Sequence, residues 1–266
     1  MRVYLLGTPI DLLSHDESAA RAVAAMTGRA PVVHVALNVA KFVQMRRNAE
    51  LRRDIEAADM VGLDGMGLVL ALRLFGARNV ERVAGIDLME VLFGECARRG
   101  LKPYVLGARA DMLERASAAA RLRWPGLVFA GMRDGYFAAA EEEDVVAAIR
   151  ASGADCLFVA MPTPRKERFL ARHGAALGVP FVMGVGGAID ILAGSVRRAP
   201  RWMQRIGLEW LYRLLQEPRR MLWRYAFTNI YFAGLMLGAL LMRLAGRQVL
   251  QLEPVAPPPP YYMTQK

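Results

Sequence analysis

Apolar residues fall into two rhythms along this chain. Short, nearly unbroken apolar runs occupy residues 2–7, 32–39, 59–64, 102–107, 127–132, 155–161 and 180–186. Runs of that length suit buried strands, and most are separated by stretches whose apolar positions recur at helical spacing. The alternation predicts an α/β domain over residues 1–196, with a mostly parallel, Rossmann-like sheet flanked by helices. Local punctuation agrees. Ser14 and Glu17 have the spacing of a capping box, Asp87 precedes the helical pattern "LMEVLFGECARR", and Gly28, Gly100 and Gly178 fall where helices stop. The apolar stretch before Asp11 is too short for a secretory leader, and residues 2–7 read as a first strand.

Charge changes the picture beyond residue 196. The chain carries +10 overall, and between Arg197 and Arg247 ten arginines face only Glu209 and Glu217, so +8 belongs to this segment. Trp202, Trp210 and Trp223 lie there as well, with only Trp124 elsewhere. Arginine beside aromatic rings suits an anionic membrane surface or nucleic acid. Residues 225–242 carry no charge and are flanked by arginines. Eighteen helical residues span about 27 Å against a hydrocarbon core of about 30 Å, so three readings stand: an interfacial or re-entrant helix, a single span, or a core or dimer helix. Residues 197–247 are thus expected to form a helical, membrane-associating appendage, and a chain ending before Arg197 is expected to keep the α/β fold. Residues 248–266, rich in proline, are expected to be a disordered tail. Cys96 and Cys156 lie in apolar surroundings without metal-ligand spacing and read as reduced core thiols.

In open α/β sheets, ligands bind beyond the carboxyl ends of strands. Asn38 ends one apolar run, and Asp64 ends another just before the glycines of "LDGMG". Asp64 is placed either to deprotonate a hydroxyl or to cap the following helix. Gly184, Gly186 and Gly187 follow the last run, where they serve either a diphosphate or tight strand-to-helix packing. The full G-x-G-x-x-G fingerprint is missing, which disfavours a nicotinamide enzyme. His15, His34 and His173 lack metal-ligand spacing, and no G-x-S-x-G, Walker A or D-x-D motif occurs. Neither a metal nor a cofactor is expected.

The blocks "ALNVAKFV", "LDGMGLVLALRL", "ERVAGIDLM", "YVLGA", "DGYF", "PRKERFL" and "GVGGAIDILAGSVRRAPRWMQRIGLEWLYRLLQEPRRMLWRY" follow one another in the order and spacing of the WecG/TagA/CpsF glycosyltransferase family, which this chain resembles over about residues 2–225. The resemblance implies inverting, metal-independent transfer from a UDP-sugar to a polyprenyl-diphosphate-linked saccharide during synthesis of exopolysaccharide or another cell-surface polymer. It implies Asp64 as general base, with Asn38 and Arg82 beside it in the pocket. Tyr136 would stack on the uracil and Asp190 hydrogen-bond it, at the turn containing Gly184, Gly186 and Gly187. Arg213, Arg220 and Arg224 are candidates for the diphosphate of donor or acceptor, or else form a basic face that touches lipid headgroups only. The appendage would bring the enzyme to the cytoplasmic face of the inner membrane as a peripheral or monotopic protein. Two positions depart from the family pattern. Lys166 replaces a usual glutamine, a cation suited to an acidic sugar or an extra phosphate, and Ala36 replaces a usual threonine. Homo-oligomerisation stays open. The rival functions are an inactive membrane-anchored scaffold for polysaccharide assembly and a nucleic-acid binder; the uncharged run beside the basic segment favours lipid over nucleic acid.

Overall fold

The computed structural model describes residues 1–253, without the side chains of Arg220 and Glu253; the rest of the expected tail, residues 254–266, lies outside the described residues. Six strands form one parallel sheet in the order β4 (Met60–Leu63), β3 (Val32–Leu37), β8 (Phe181–Gly184), β7 (Cys156–Ala160), β5 (Pro103–Gly107) and β6 (Gly131–Arg133). The four inner strands are almost wholly buried, which is why they read as apolar runs rather than as alternating patterns.

Successive residues serve opposite faces. Phe158 and Met183 join Phe93 in a core beneath α1 (His15–Gly28), α5 (Gly85–Arg99), α6 (Ala110–Arg123) and α9 (Ala188–Leu192). Leu157, Val159 and Val182 pack with Ile149 and Phe169 of α7 (Glu142–Ala151) and α8 (Arg165–Leu177). Ser14 and Glu17 form the capping box, and Gly100 and Gly178 close their helices in the left-handed conformation. α1 instead closes on Arg29, one residue beyond Gly28, and α5 starts at Gly85, so Asp87 lies in its first turn. Cys96 and Cys156 are buried free thiols with their Sγ atoms 3.7 Å apart.

Three expectations are corrected. The run at residues 2–7 is not part of the parallel sheet. β1 (Arg2–Leu5) makes a hairpin with β2 (Thr8–Asp11) through Leu6 and Gly7, both at positive φ, in a separate antiparallel sheet. Arg2 pins this hairpin beside β4: its guanidinium grips Asp11 at 2.8 and 2.7 Å, and Asp11 accepts the Val61 N–H. The run at 127–132 yields only the three-residue β6, because Leu127 and Phe129 turn into the α5 core, where Phe129 meets Phe93 edge-on. The expected tail is ordered at its start, since β9 (Leu250–Glu253) pairs with β1 on the edge opposite β2.

The C-terminal segment folds as α10 (Arg201–Arg205), α11 (Glu209–Gln216) and α12 (Pro218–Leu244). α12 lies along α2 (Val39–Arg47), with the Phe232 ring edge-on to Phe42 at 5.8 Å. Phe232, Leu235, Met236 and Ala239 join the core that holds Val3, Leu5 and Ile10. A chain ending before Arg197 would therefore uncover part of this core. Residues 221–244 are long and apolar enough to cross a membrane, with mean hydropathy 1.5. Only one face is packed, however: Trp223, Phe227, Ile230, Leu237, Leu241 and Leu244 form an exposed apolar stripe. The charge-free run is neither a core helix nor a helix standing clear of the domain, which agrees with membrane association.

Candidate functional site

Two neighbouring strand ends create the centre of the site. Asn38 leaves β3 in an extended conformation and caps α2, its Oδ1 accepting the Lys41 N–H at 3.0 Å. Asp64 leaves β4 with its own N–H donating to Leu37 O at 2.9 Å, which carries the parallel register one residue past the strand. The chain then bends over Asn38 so closely that a Cβ on Gly65 would stand 3.2 Å from the Asn38 Cα.

Asp64 does not cap the helix that follows it. Gly65 occupies the N-cap of α4 (Met66–Leu74) and offers no side-chain bond. Asp64 Oδ1 instead accepts the N–H of Gly85, the first residue of α5, at 3.0 Å, and the Asp64 carbonyl accepts Arg82 Nε at 2.7 Å. Among the described residues Oδ2 has no hydrogen-bond partner. One carboxylate oxygen is thus fixed by backbone and the other remains open at the strand ends.

Arg82 is half-buried and ion-paired to Glu209 at the start of α11. Glu209 also reaches Arg198 Nε at 3.5 Å, and Arg198 forms a fork with Asp87 in the first turn of α5. This network fastens the basic segment to the helix whose N-terminus holds Asp64. None of Glu209, Arg198 and Asp87 stood out in the sequence as a site residue; the available signal was that Glu209 is one of two acids among ten arginines.

The glycine turn lies where β8 ends. Gly186 adopts φ +53°, which an L side chain would strain, and a Cβ on Gly187 would meet Arg213 Nη2 at 3.0 Å. Arg213 is thereby laid across the turn, steadied by Glu217 at 3.5 Å. Such a pairing of close backbone and guanidinium suits a diphosphate. Tyr225, from the first turns of α12, packs edge-on against Trp210 at 5.9 Å and feels the charges of Arg224, Arg213, Asp64 and Glu209. It is a further residue of this neighbourhood that its apolar sequence context concealed. Arg224 is exposed, and the Arg220 side chain lies outside the described residues.

Lys166 corrects the picture of a free cation. It is buried, its Cε and Cδ lie within 2.9 and 3.1 Å of where a Gly184 Cβ would stand, and its ammonium is paired with Glu167 at 2.9 Å and bonded to Thr163. Lys41 joins Glu167 from α2 at 3.2 Å. Burial, with Lys41 as a second cause, brings the Lys166 amine down to about 8 against the pull of Glu167. Burial opposes ionisation of Glu167 too, but the two lysines hold its carboxyl below the usual range. Beneath the turn two cations thus share Glu167 Oε1, while the buried Glu167 Oε2 has no hydrogen-bond partner among the described residues.

Tyr136 is exposed on the loop after β6. Arg165 holds that loop by donating to Gly135 O at 2.8 Å and Phe137 O at 2.7 Å, and Gly135 N–H donates to Ala108 O, which places Tyr136 near the ends of β5 and β7. Asp190 sits in α9, just past the glycine turn. Thus Asn38, Asp64 and Arg82 meet at one end of the crevice and Gly187 and Arg213 meet at β8, whereas Tyr136 lies toward β5. Among the described residues no three His, Cys, Asp or Glu cluster as a metal site would require. His34 is buried with neither ring nitrogen bonded, and burial drives it down to about 3, so it is a neutral core residue.

The parallel sheet, the acid at the β4 end and the basic segment across the glycine turn accompany a sequence match of nearly the whole chain. The model of the glycosyl transferase WecG/TagA/CpsF family matches residues 3–246, and the chain belongs to that family.

Proposed function

We propose that this glycosyltransferase moves a sugar, with inversion, from a UDP-sugar to a polyprenyl-diphosphate-linked saccharide at the cytoplasmic face of the cytoplasmic membrane. The observation that carries the reading is the open Oδ2 of Asp64, held at the strand ends near Arg82 while Arg213 crosses the glycine turn. Asp64 takes the proton of the acceptor hydroxyl as that oxygen attacks the anomeric carbon from the face opposite UDP. The bond between the anomeric carbon and the diphosphate breaks, and the departing UDP carries the charge that Arg213 and the backbone amides of the turn stabilise. Asn38 and Arg82 line the pocket, and Tyr136 and Asp190 hold the uracil. The exposed stripe of α12 serves the membrane where the lipid-linked acceptor resides.

The test is UDP release by detergent-solubilised protein over a panel of UDP-sugars with a polyprenyl-diphosphate-linked acceptor, in excess EDTA. Turnover with one donor is the expected result. Loss of activity restored by magnesium or manganese overturns the metal-independent step, and no UDP release with any donor, with or without metal, turns the reading toward an inactive scaffold.

A further inference from the structure

Between α2, the loop after β7 and the start of α12 runs a groove of about 500 Å³, within the roughly 300–1,000 Å³ typical of small-molecule sites. Trp223 and Phe227 form its exposed wall, and the buried Val43 and Leu51 lie behind the opposite side. Two arginines flank it. Arg47 lies over the Phe227 ring at 5.3 Å and Arg224 also lines the groove, and neither has an ion pair among the described residues. This sets them apart from Arg82, Arg198 and Arg213, each of which faces a carboxylate. No Asp or Glu lines the groove.

The two ends of the groove differ. At one end Trp223 and Phe227 begin the exposed stripe that continues through Ile230, Leu237 and Leu241 to Leu244, about 30 Å along the helix. At the other, Thr163 bonds the buried Lys166, whose stem lies against Gly184, and the charge of Arg224 reaches Lys166. The groove therefore joins an apolar track to the underside of the glycine turn, with positive charge and no negative charge along its walls.

We propose that the groove binds the diphosphate and first isoprene units of the polyprenyl acceptor, whose tail leaves the bilayer along the α12 stripe. Arg47 and Arg224 meet the diphosphate. Trp223 and Phe227, which are exposed, cover the isoprene units nearest it. This assignment rests on the proposed function for the identity of the acceptor, but it can be tested without catalysis. Arg47 belongs to α2 rather than to the basic C-terminal segment, so it separates this groove from general attraction of the appendage to lipid.

The experiment uses full-length protein in detergent and farnesyl diphosphate as probe, with farnesol and inorganic pyrophosphate as separate arms. A benzophenone-bearing farnesyl diphosphate analogue is crosslinked and its attachment mapped by mass spectrometry. We expect labels on α2 and the first turns of α12, tighter binding of farnesyl diphosphate than of either fragment, and at least tenfold weaker binding by Arg47→Glu. Arg47 is exposed, so the variant is expected to melt within a few degrees of wild type. Arg47→Gln, which removes charge without reversing it, is expected to fall between the two. Labels confined to other elements, or wild-type affinity in Arg47→Glu, overturn the groove. Labelling of the groove in a protein that never releases UDP leaves the groove standing and rejects the transferase reading, whereas turnover without groove labelling does the reverse.

Discussion

Asp64 owes its orientation to the Gly85 amide, 21 positions away in the chain, and that contact dictates how a substitution behaves. In Asp64→Asn the amide oxygen can keep the Gly85 bond, which turns the NH₂ toward the open position and puts a donor where the proton acceptor stood. Turnover is expected to fall about 100-fold or more while UDP affinity stays within twofold. Single-turnover rates paired with calorimetric UDP titration check this; a rate near wild type removes Asp64 from the chemistry. Asn38 and Asp64 were legible in the sequence because an apolar run must end where the chain leaves the core. The pairing of Arg82 with Glu209 was not, for those residues are 127 positions apart and no local period links them. Lys166 shows the same limit. Its partner Glu167 is the next residue in sequence, but Lys41, the second cation on that carboxylate, arrives only when α8 and α2 meet beneath the glycine turn.

Elements at the two chain ends depend on one another. β9 completes the small sheet around β1, and Val249, just before it, is 6% exposed in the core shared with Val3 and Leu5. Burying a valine of this kind contributes about 1.5–3 kcal/mol, and each kcal/mol moves the melting temperature of a chain this size by about 2–4 °C. A protein ending at Gly246 is therefore expected to melt about 5 °C or more below the full chain in the same detergent, by differential scanning calorimetry. An unchanged melting temperature means that β9 adds nothing to the fold. The run that forms β1 was visible from its residues. Its partner was not, because Leu250–Glu253 borders a proline-rich stretch and carries no signal of its own until β1 offers it an edge.

At the scale of the molecule, charge and apolar surface divide the work of membrane contact. Each arginine near an anionic leaflet contributes about 1 kcal/mol, but at about 1 M salt the screening length falls to about 3 Å and that attraction fades. The apolar stripe of α12 is insensitive to such screening. Wild-type protein is expected to cosediment with anionic vesicles at that salt, and the Ile230→Asp, Leu237→Asp variant to bind only at low salt. Retention of the variant at high salt shows that another surface holds the membrane. The positive segment and its uncharged run were plain in the sequence, since composition needs no partner to be read. So were the inner strands, whose burial on both faces imposes continuous apolarity, and the glycine turn, whose backbone forbids most side chains. The tertiary structure alone decided which face of α12 meets α2 and which stays exposed, that β1 leaves the parallel sheet for β9, and that Glu209 ties the basic segment to Arg82. Those outcomes depend on contacts between distant stretches of chain, and a contact of that kind leaves no period in either stretch until the layers have packed.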